Sequence, residues 1–426
     1  MLNRLAPPPT RPIGRVDLPT AQVTPLANGA RLHTLPHTAQ PVVRLQVVLP
    51  AGRWYDATPG TSLLAARSLL EGTRTRTARQ IADTIAFYGA SLECEQGFDR
   101  ATLTLYCLSR HFEQLLPLVQ DVLLNATFPG TEVEQIKTRT IQNIRVERQK
   151  TSYQASERFA RNLYGPQHPY GHTFDEAAFA ALSPEAVRRY YQQAYNLAQA
   201  EIFLCGDVSH AHLVHLSELF GHITPSEVAA IGSSPVSPSS VSTDSVVVAD
   251  SLQASIRIGR LWPAATHPNT HRLQVLVKVL GGYFGSRLMK NIREDKGLTY
   301  GIYASISQRE HASSCVIGSD VNAANASFAI KEIHNELLRL QEEPIPADEL
   351  DTVRSYIQGK FLNELGTVFE QADKYRSTIL LGLPIDFYGK YLSEVEVVTS
   401  TELQALAQQY LSPNDFHQVV AGPNQH

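Results

Sequence analysis

"GGYFGSRLMKNIREDKGLTYGIYAS", residues 281–305, carries a helix into a strand. The charged run 293–296 followed by Gly297 is typical of a helix that ends in a glycine cap. Beyond that glycine, "LTYGIYASIS" at 298–307 and "SSCVIGSDV" at 313–321 have the alternating pattern of two strands that pair. The stretch therefore predicts a helix, a tight turn and a strand pair in immediate succession.

The same order occurs in the first half of the chain. The predicted helix "ARQIADTIAFYG" precedes the strand pair "ASLECEQ" and "ATLTLYCLS", and both halves close on an apolar strand, which ends at Gly206 or at Gly422. An order repeated on either side of a linker favours an internal duplication. We therefore predict an α+β fold of two homologous domains, each an antiparallel sheet with helices packed on one face.

Composition gives the predicted domain boundaries. Ser and Pro dominate residues 223–245, which is typical of an extended linker, and three consecutive prolines mark the N-terminal residues as an extended tail. The prediction is a tail at 1–20, an N-terminal domain at 21–222, the linker at 223–245 and a C-terminal domain at 246–426.

Charge and cysteine content exclude several function classes. A net charge of −4 and a pI near 6.4 leave no basic footprint for nucleic acid. No apolar run approaches the ~20 residues that cross a bilayer, and the N-terminal residues lack the apolar core of a signal peptide. The four cysteines are scattered and form no C-x-x-C pair, so they are expected to be buried free thiols. We expect a soluble protein of the cytoplasm that binds neither nucleic acid nor membrane.

Three segments together resemble one protein family. They are "GTSLLAARSLLEGT" at 60–73, "HPYG" at 168–171 and the stretch 281–305. Their residues and order resemble the insulinase–pitrilysin family of zinc peptidases, in particular its half-length, processing-peptidase-like members. The resemblance runs from about Pro25 to about Pro423, and it implies that the two domains form a clamshell.

The zinc motif of that family is degenerate in this chain. Active members carry His-x-x-Glu-His on the first of these helices and a further glutamate on the long downstream helix. The resemblance places Leu63 and Arg67 at the histidine positions, Ala66 at the glutamate, and Gln142 or Asn143 at the downstream glutamate. Leu and Ala have no lone pair for a metal, and Arg is a cation without an acceptor. We therefore predict that this chain binds no metal and has no catalytic residue of its own.

Two further features of the sequence have structural interpretations. The i,i+4 spacing of Arg67 and Glu71 predicts an ion pair. His210, His212 and His215 cluster, but no Glu or Cys stands at a useful spacing, and a polar helix face explains them at least as well. We predict no metal site there.

A second element of the family is present. The resemblance implies that Arg293 and Tyr300, seven residues apart, hold the backbone of a peptide substrate. A guanidinium fork and a phenol hydroxyl both suit a carbonyl oxygen or a developing oxyanion. Two structural interpretations stay open: Arg293 belongs to a normal charged helix end, and Tyr300 alternates with its neighbours as a core tyrosine does.

Half-length family members work as dimers, and in several heterodimers one chain keeps the zinc while the other keeps the Arg–Tyr pair. The resemblance thus implies a non-catalytic subunit of a zinc metallopeptidase that acts on peptides, with a similar-sized zinc-bearing partner. The alternative is a homodimeric peptide-binding or scaffold protein without catalysis. No cofactor is expected on this chain in either case, and the zinc is expected in the partner subunit.

Overall fold

A computed structural model describes residues 18–223 and 240–424 of the chain. Strands and helices alternate in the N-terminal half. In chain order they are β1 Gln22–Pro25, β2 Arg31–Pro36, β3 Val42–Leu49, α1 Thr61–Ser68, α2 Ala78–Phe87, β4 Ser91–Gln96, β5 Ala101–Leu108, α3 Phe112–Asn125, α4 Gly130–Glu147, α5 Thr151–Tyr164, α6 Glu176–Ala180, α7 Pro184–Ala194, β6 Glu201–Gly206 and α8 His210–Gly221.

The C-terminal half follows the same plan. Its elements are β7 Thr243–Val247, β8 Gln253–Trp262, α9 Thr270–Gly281, a π-helix Met289–Asp295, β9 Ile302–Gln308, β10 Ser313–Asn322, α10 Ala326–Glu342, α11 Ala347–Asn363, α12 Val368–Leu380, α13 Phe387–Val397, α14 Ser400–Tyr410 and β11 His417–Gly422.

Each half builds one sheet. The strand order is β1-β2-β6-β3-β5-β4 in the first and β7-β11-β8-β10-β9 in the second. Apart from the additional β1, the two orders correspond strand for strand, as an internal duplication predicts. The prediction of purely antiparallel sheets needs one correction, because β2 pairs with β6, and β7 with β11, in parallel. In each half the two parallel strands are neighbours in the sheet but lie far apart in the sequence. No tight hairpin therefore forces them to be antiparallel.

The helices of each half cover one face of its sheet, as predicted. In the N-terminal half, α1, α3, α4 and α7 supply buried side chains to a core that also contains the inner residues of β3 and β5. In the C-terminal half, α9, α10, α11 and α14 do the same against β8 and β10. These are two separate apolar cores, one for each sheet.

The opposite face of each sheet is also covered, and this was not predicted. Phe159 of α5, in the N-terminal half, is buried against Val419 and Ala421 of β11 in the C-terminal sheet. Tyr375 of α12, in the C-terminal half, is buried against Phe203 of β6 in the N-terminal sheet. The two halves therefore exchange one helix each.

A buried arginine accompanies each exchanged helix. Arg44 of β3 donates from Nη1 to Oδ2 of Asp373 on α12 over 3.0 Å. Arg257 of β8 donates from Nε to Oγ of Ser156 on α5 over 3.1 Å. Strands β3 and β8 hold the same place in the two sheets. Each half therefore contacts the helix of the other half through an arginine as well as through apolar side chains.

The predicted boundaries fall partly outside the described residues. Residues 1–17 of the predicted tail and 224–239 of the predicted linker are among those not described. The last residues assigned to the linker belong to β7, which starts at Thr243 and pairs with β11. Within 18–223 and 240–424, no helix has the length and apolar character needed to cross a bilayer.

Candidate functional site

Helix α1 is held at its start by a glycine and a carboxylate. Gly60 is its N-cap and has a φ of 94°, a left-handed value that favours glycine. Asp56 accepts hydrogen bonds from the backbone N–H groups of Gly60 at 2.9 Å and of Ser62 at 2.6 Å. Burial raises the pKa of the Asp56 carboxyl to about 6, against the lowering effect of these bonds. The sharp start of this helix is therefore structural.

The residues at the former zinc positions of α1 pack or bind protein groups. Ala66 is buried, and Leu63 is half-buried against the N-terminal core. Arg67 donates from Nη1 to Oγ1 of Thr140 on α4 over 2.8 Å. The predicted pairing of Arg67 with Glu71 is wrong, because the guanidinium reaches across to α4 instead.

The contact with α4 also identifies the downstream position. Asn143 lies three residues after Thr140 and shares its side of the helix, whereas Gln142, two residues after Thr140, lies on another side. Both side chains are exposed. Of the two residues considered from the sequence, Asn143 is therefore the one on the face of α4 that meets Arg67.

The side chains where α1 meets α4 do not fit a zinc ion. Desolvation and the neighbouring charge of Arg139 lower the pKa of Arg67, so two guanidinium groups lie close together there. Neither Leu63 nor Ala66 offers a donor atom, and one amide does not complete a ligand set of four. No group of three His, Cys, Asp or Glu side chains in the described ranges is placed to hold a metal.

The histidines that cluster in the sequence serve α8. Ser209 is its N-cap and accepts from the backbone N–H of His212, while His212 Nδ1 accepts from the Ser209 N–H at 3.3 Å. His212 is therefore a capping residue of α8.

Arg293 lies in the π-helix that follows α9. Wider turns are visible in the backbone, where Lys296 N–H bonds to Asn291 O at 3.2 Å. Such segments are frequent at functional sites. The Arg293 guanidinium lies over the ring of Phe284, with Cζ 4.4 Å from the ring centroid. This cation–π contact holds the guanidinium beside an aromatic side chain that is itself exposed.

Tyr300 is exposed over 98% of its surface, which excludes the core-tyrosine interpretation. The turn beneath it is rigid. Thr299 Oγ1 donates to Asp320 O over 2.7 Å and accepts from the N–H of Gly301 at 3.1 Å. The Tyr300 side chain is therefore presented to solvent from a turn that the Thr299 hydroxyl bonds to β10.

The two predicted residues meet in one cleft of about 820 Å³. Arg293 and Tyr300 both line it, and the carboxylates of Glu294 and Asp320 lie on its walls. Every lining residue belongs to the C-terminal half, so the former zinc positions of α1 take no part in it. The structure thus brings together the Arg–Tyr pair and leaves the zinc positions apart from it.

Sequence reasoning missed Phe284, the aromatic residue that the Arg293 guanidinium contacts. Phe284 lies within the "GGYFG" segment at 281–285. Gly281 in this segment permits close packing of α9 on β9, because an added Cβ would approach the Ala304 nitrogen to 2.6 Å. Two aromatic residues between Gly282 and Gly285 were the available signal in the sequence.

The doubled fold is that of a class of peptidase-like proteins, because profiles of one peptidase family match both halves. Residues 33–168 match the profile described as insulinase (peptidase family M16), and residues 181–357 match that of the peptidase M16 inactive domain. The chain belongs to the insulinase family, as a half-length member. The predicted resemblance is confirmed.

Curated relatives of similar length carry contrasting descriptions. The chain is 22% identical to "Uncharacterized zinc protease YmxG" of Bacillus subtilis over 368 residues, which covers 86% of this chain and 88% of that protein. It is 21% identical to "Non-peptidase homolog YmxG" of Helicobacter pylori over 364 residues, covering 84% and 83%.

Solved structures show the same fold. A peptidase M16 inactive domain from Pseudomonas fluorescens superposes with a TM-score of 0.87 at 23% identity, over 95% of this chain and 98% of that one. A protease from Helicobacter pylori gives a TM-score of 0.84 at 18% identity, over 95% and 100%. The predicted α+β fold of two domains is confirmed.

Proposed function

We propose that this chain is the non-catalytic subunit of a heterodimeric zinc metallopeptidase that acts on peptides. Arg293 and Tyr300 bind the peptide backbone, and a similar-sized family member supplies the zinc. One observation carries the proposal: Arg293 and Tyr300 line one open cleft, while Leu63, Ala66 and Arg67 offer no ligand to a metal.

The chemistry of the cleft suits a peptide. The guanidinium of Arg293 offers several N–H donors, and the hydroxyl of Tyr300 offers one more, so both can donate to carbonyl oxygens. Strand β9 begins two residues after Tyr300 and is the outermost strand of its sheet. An extended peptide can add to such an edge through backbone hydrogen bonds. The exposed tyrosine would then lie at one end of the added strand.

The need for a partner chain follows from the lack of metal ligands on helix α1 of this chain. Donors that stabilise an oxyanion do not by themselves activate a water molecule, which zinc does by lowering its pKa. Since α1 of this chain supplies no ligand, the metal has to come from a second chain. The name of the Helicobacter pylori relative, a non-peptidase homolog, supports the non-catalytic assignment.

The test is reconstitution. The chain is tagged and purified from its own host, co-purifying family members are identified by mass spectrometry, and the pair is rebuilt from separately produced chains. We expect chelator-sensitive peptide cleavage by the pair and none by either chain alone. Arg293→Ala and Tyr300→Phe should each lower kcat/KM by about tenfold or more, because each removes a donor to a developing charge.

Matched variants control for general damage. Arg79→Ala removes an arginine that is 90% exposed on α2, and Tyr303→Phe removes a hydroxyl from the next tyrosine along the chain. Both should retain the activity of the wild-type pair. Unchanged cleavage in Arg293→Ala would refute the assigned role of the cleft. A lone, inactive homodimer that binds peptides would establish the scaffold alternative.

A further inference from the structure

A second cavity lies in the C-terminal half, away from the Arg293–Tyr300 cleft. It encloses about 320 Å³ between α9, the edge strand β9 and the helices α11, α12 and α13. This volume is within the range of small-molecule sites. Phe361, Tyr388 and Tyr391 form an aromatic wall, and none of the cavity's lining residues is shared with the cleft.

The charged groups of this cavity are mostly cationic. Lys278, Lys360 and Lys374 line it together with one carboxylate, that of Glu364. Glu364 lies 2.6 Å from the Lys374 Nζ and 3.7 Å from the Lys360 Nζ. Desolvation and the charge of Lys360 lower the pKa of Lys278, whose ammonium donates a long hydrogen bond of 3.3 Å to the Gly282 carbonyl. Three ammonium groups therefore share one carboxylate.

The aromatic wall is already in contact with a cation. Lys374 Nζ lies 5.3 Å from the ring centroid of Tyr388 and 5.8 Å from that of Phe361. A molecule that carries an anionic group on a flat apolar body would meet both surfaces, with the anion on the ammonium groups and the body on the rings.

The duplication gives this cavity a counterpart in the N-terminal half. Prolines 129 and 346 are the N-caps of α4 and α11, so the two helices are in the same register. In that register Lys360 on α11 stands where Asn143 stands on α4. Likewise α9 corresponds to α1, and the edge strand β9 to the edge strand β4. The cationic cavity thus lies at the C-terminal counterpart of the contact between α1 and α4.

We propose that this cavity binds a small organic anion, a carboxylate or phosphate ester on an aromatic body. Lys360 and Lys374 bind the anionic group and Glu364 opposes it. The body lies against Phe361 and Tyr388. The cavity shares no lining residue with the Arg293–Tyr300 cleft, and strand β9, to which the proposed peptide adds, borders it.

Direct binding to the full-length chain tests the proposal. Phenyl phosphate, benzoate and inorganic phosphate are titrated at millimolar concentrations, with calorimetry and ligand-observed NMR as readouts. We expect saturable binding of phenyl phosphate or benzoate, and the tighter of the two assigns the anionic group. Inorganic phosphate, which has no body, should bind about tenfold more weakly or worse. Equal binding of inorganic phosphate would refute the role of the aromatic wall.

Variants that are expected to change the binding affinity in opposite directions exclude a merely structural explanation. Lys360→Met and Lys374→Met should each weaken binding by about tenfold, because each removes a charge-assisted contact. Glu364→Gln should tighten it, since the opposing charge is lost. Lys331→Met, at an exposed lysine of α10, is the matched control and should bind as the wild type does. No saturable binding to the wild type, or weaker binding in Glu364→Gln, would overturn the proposal.

Discussion

Replacing Phe159 by alanine should destabilise both halves of the molecule at once. The Phe159 side chain is 5% exposed and lies over β8, where a Cβ added to Gly259 would approach its Cζ to 2.7 Å. Truncation of a buried phenylalanine costs about 3–5 kcal/mol in the free energy of unfolding. A loss near the upper end of this range is expected, because the ring packs on strand backbone that cannot move into the cavity left by the truncation.

Urea unfolding followed by tryptophan fluorescence measures this loss, since Trp54 belongs to the same apolar cluster as Phe159. Hydrogen exchange then shows where protection is lost. We expect faster exchange both in β8 and in β3, because α5 joins the N-terminal half to the C-terminal sheet. Phe87→Ala, at a phenylalanine that is 82% exposed, is the control and should cost less than about 0.5 kcal/mol. A loss below about 1 kcal/mol for Phe159→Ala, or loss of protection confined to β8, would refute the reasoning.

Two further predictions concern α1. A chain with the substitutions Leu63→His, Ala66→Glu, Arg67→His and Asn143→Glu should retain zinc in elemental analysis. Moving the last glutamate one position earlier, to residue 142, should abolish zinc retention. Equal retention by both variants would refute the register of α4. Burial raises the pKa of Asp56 to about 6, above its ordinary 3.8. Between these values the folded protein holds more protons than the unfolded chain, so the free energy of unfolding should fall as pH rises from about 4 to about 6. Asp56→Asn should flatten that slope in urea titrations, and an unchanged slope would contradict the assignment.

Much of the fold was predictable because the strand and helix patterns repeat. The exchange of helices was not, although the strands contained a signal for it. Strand β3 is buried along nearly its whole length, and a continuous apolar strand indicates that both faces of a sheet are covered. The arginine within it, Arg44, further indicated that a polar partner approaches that face. Which helix supplies the cover depends on contacts between residues far apart in the chain, which periodicity does not specify.

The candidate site was likewise predictable from the sequence only in part. The absence of metal ligands on α1 follows from side-chain chemistry alone, so it could be read from the sequence. The exposure of Tyr300 could not, because the alternation that marks a strand also fits a core tyrosine. The cationic cavity was invisible as well, since Lys278, Lys360 and Lys374 come from three different helices and meet only in the folded chain.

The reciprocal packing of α5 and α12 makes the linker dispensable for association. A chain cut within 224–239 would yield two fragments, each with an uncovered sheet face and a helix whose apolar side has nothing to pack against. Each fragment holds the missing piece of the other, so the two should fold only when mixed. In this respect the chain resembles a domain-swapped dimer joined within one polypeptide.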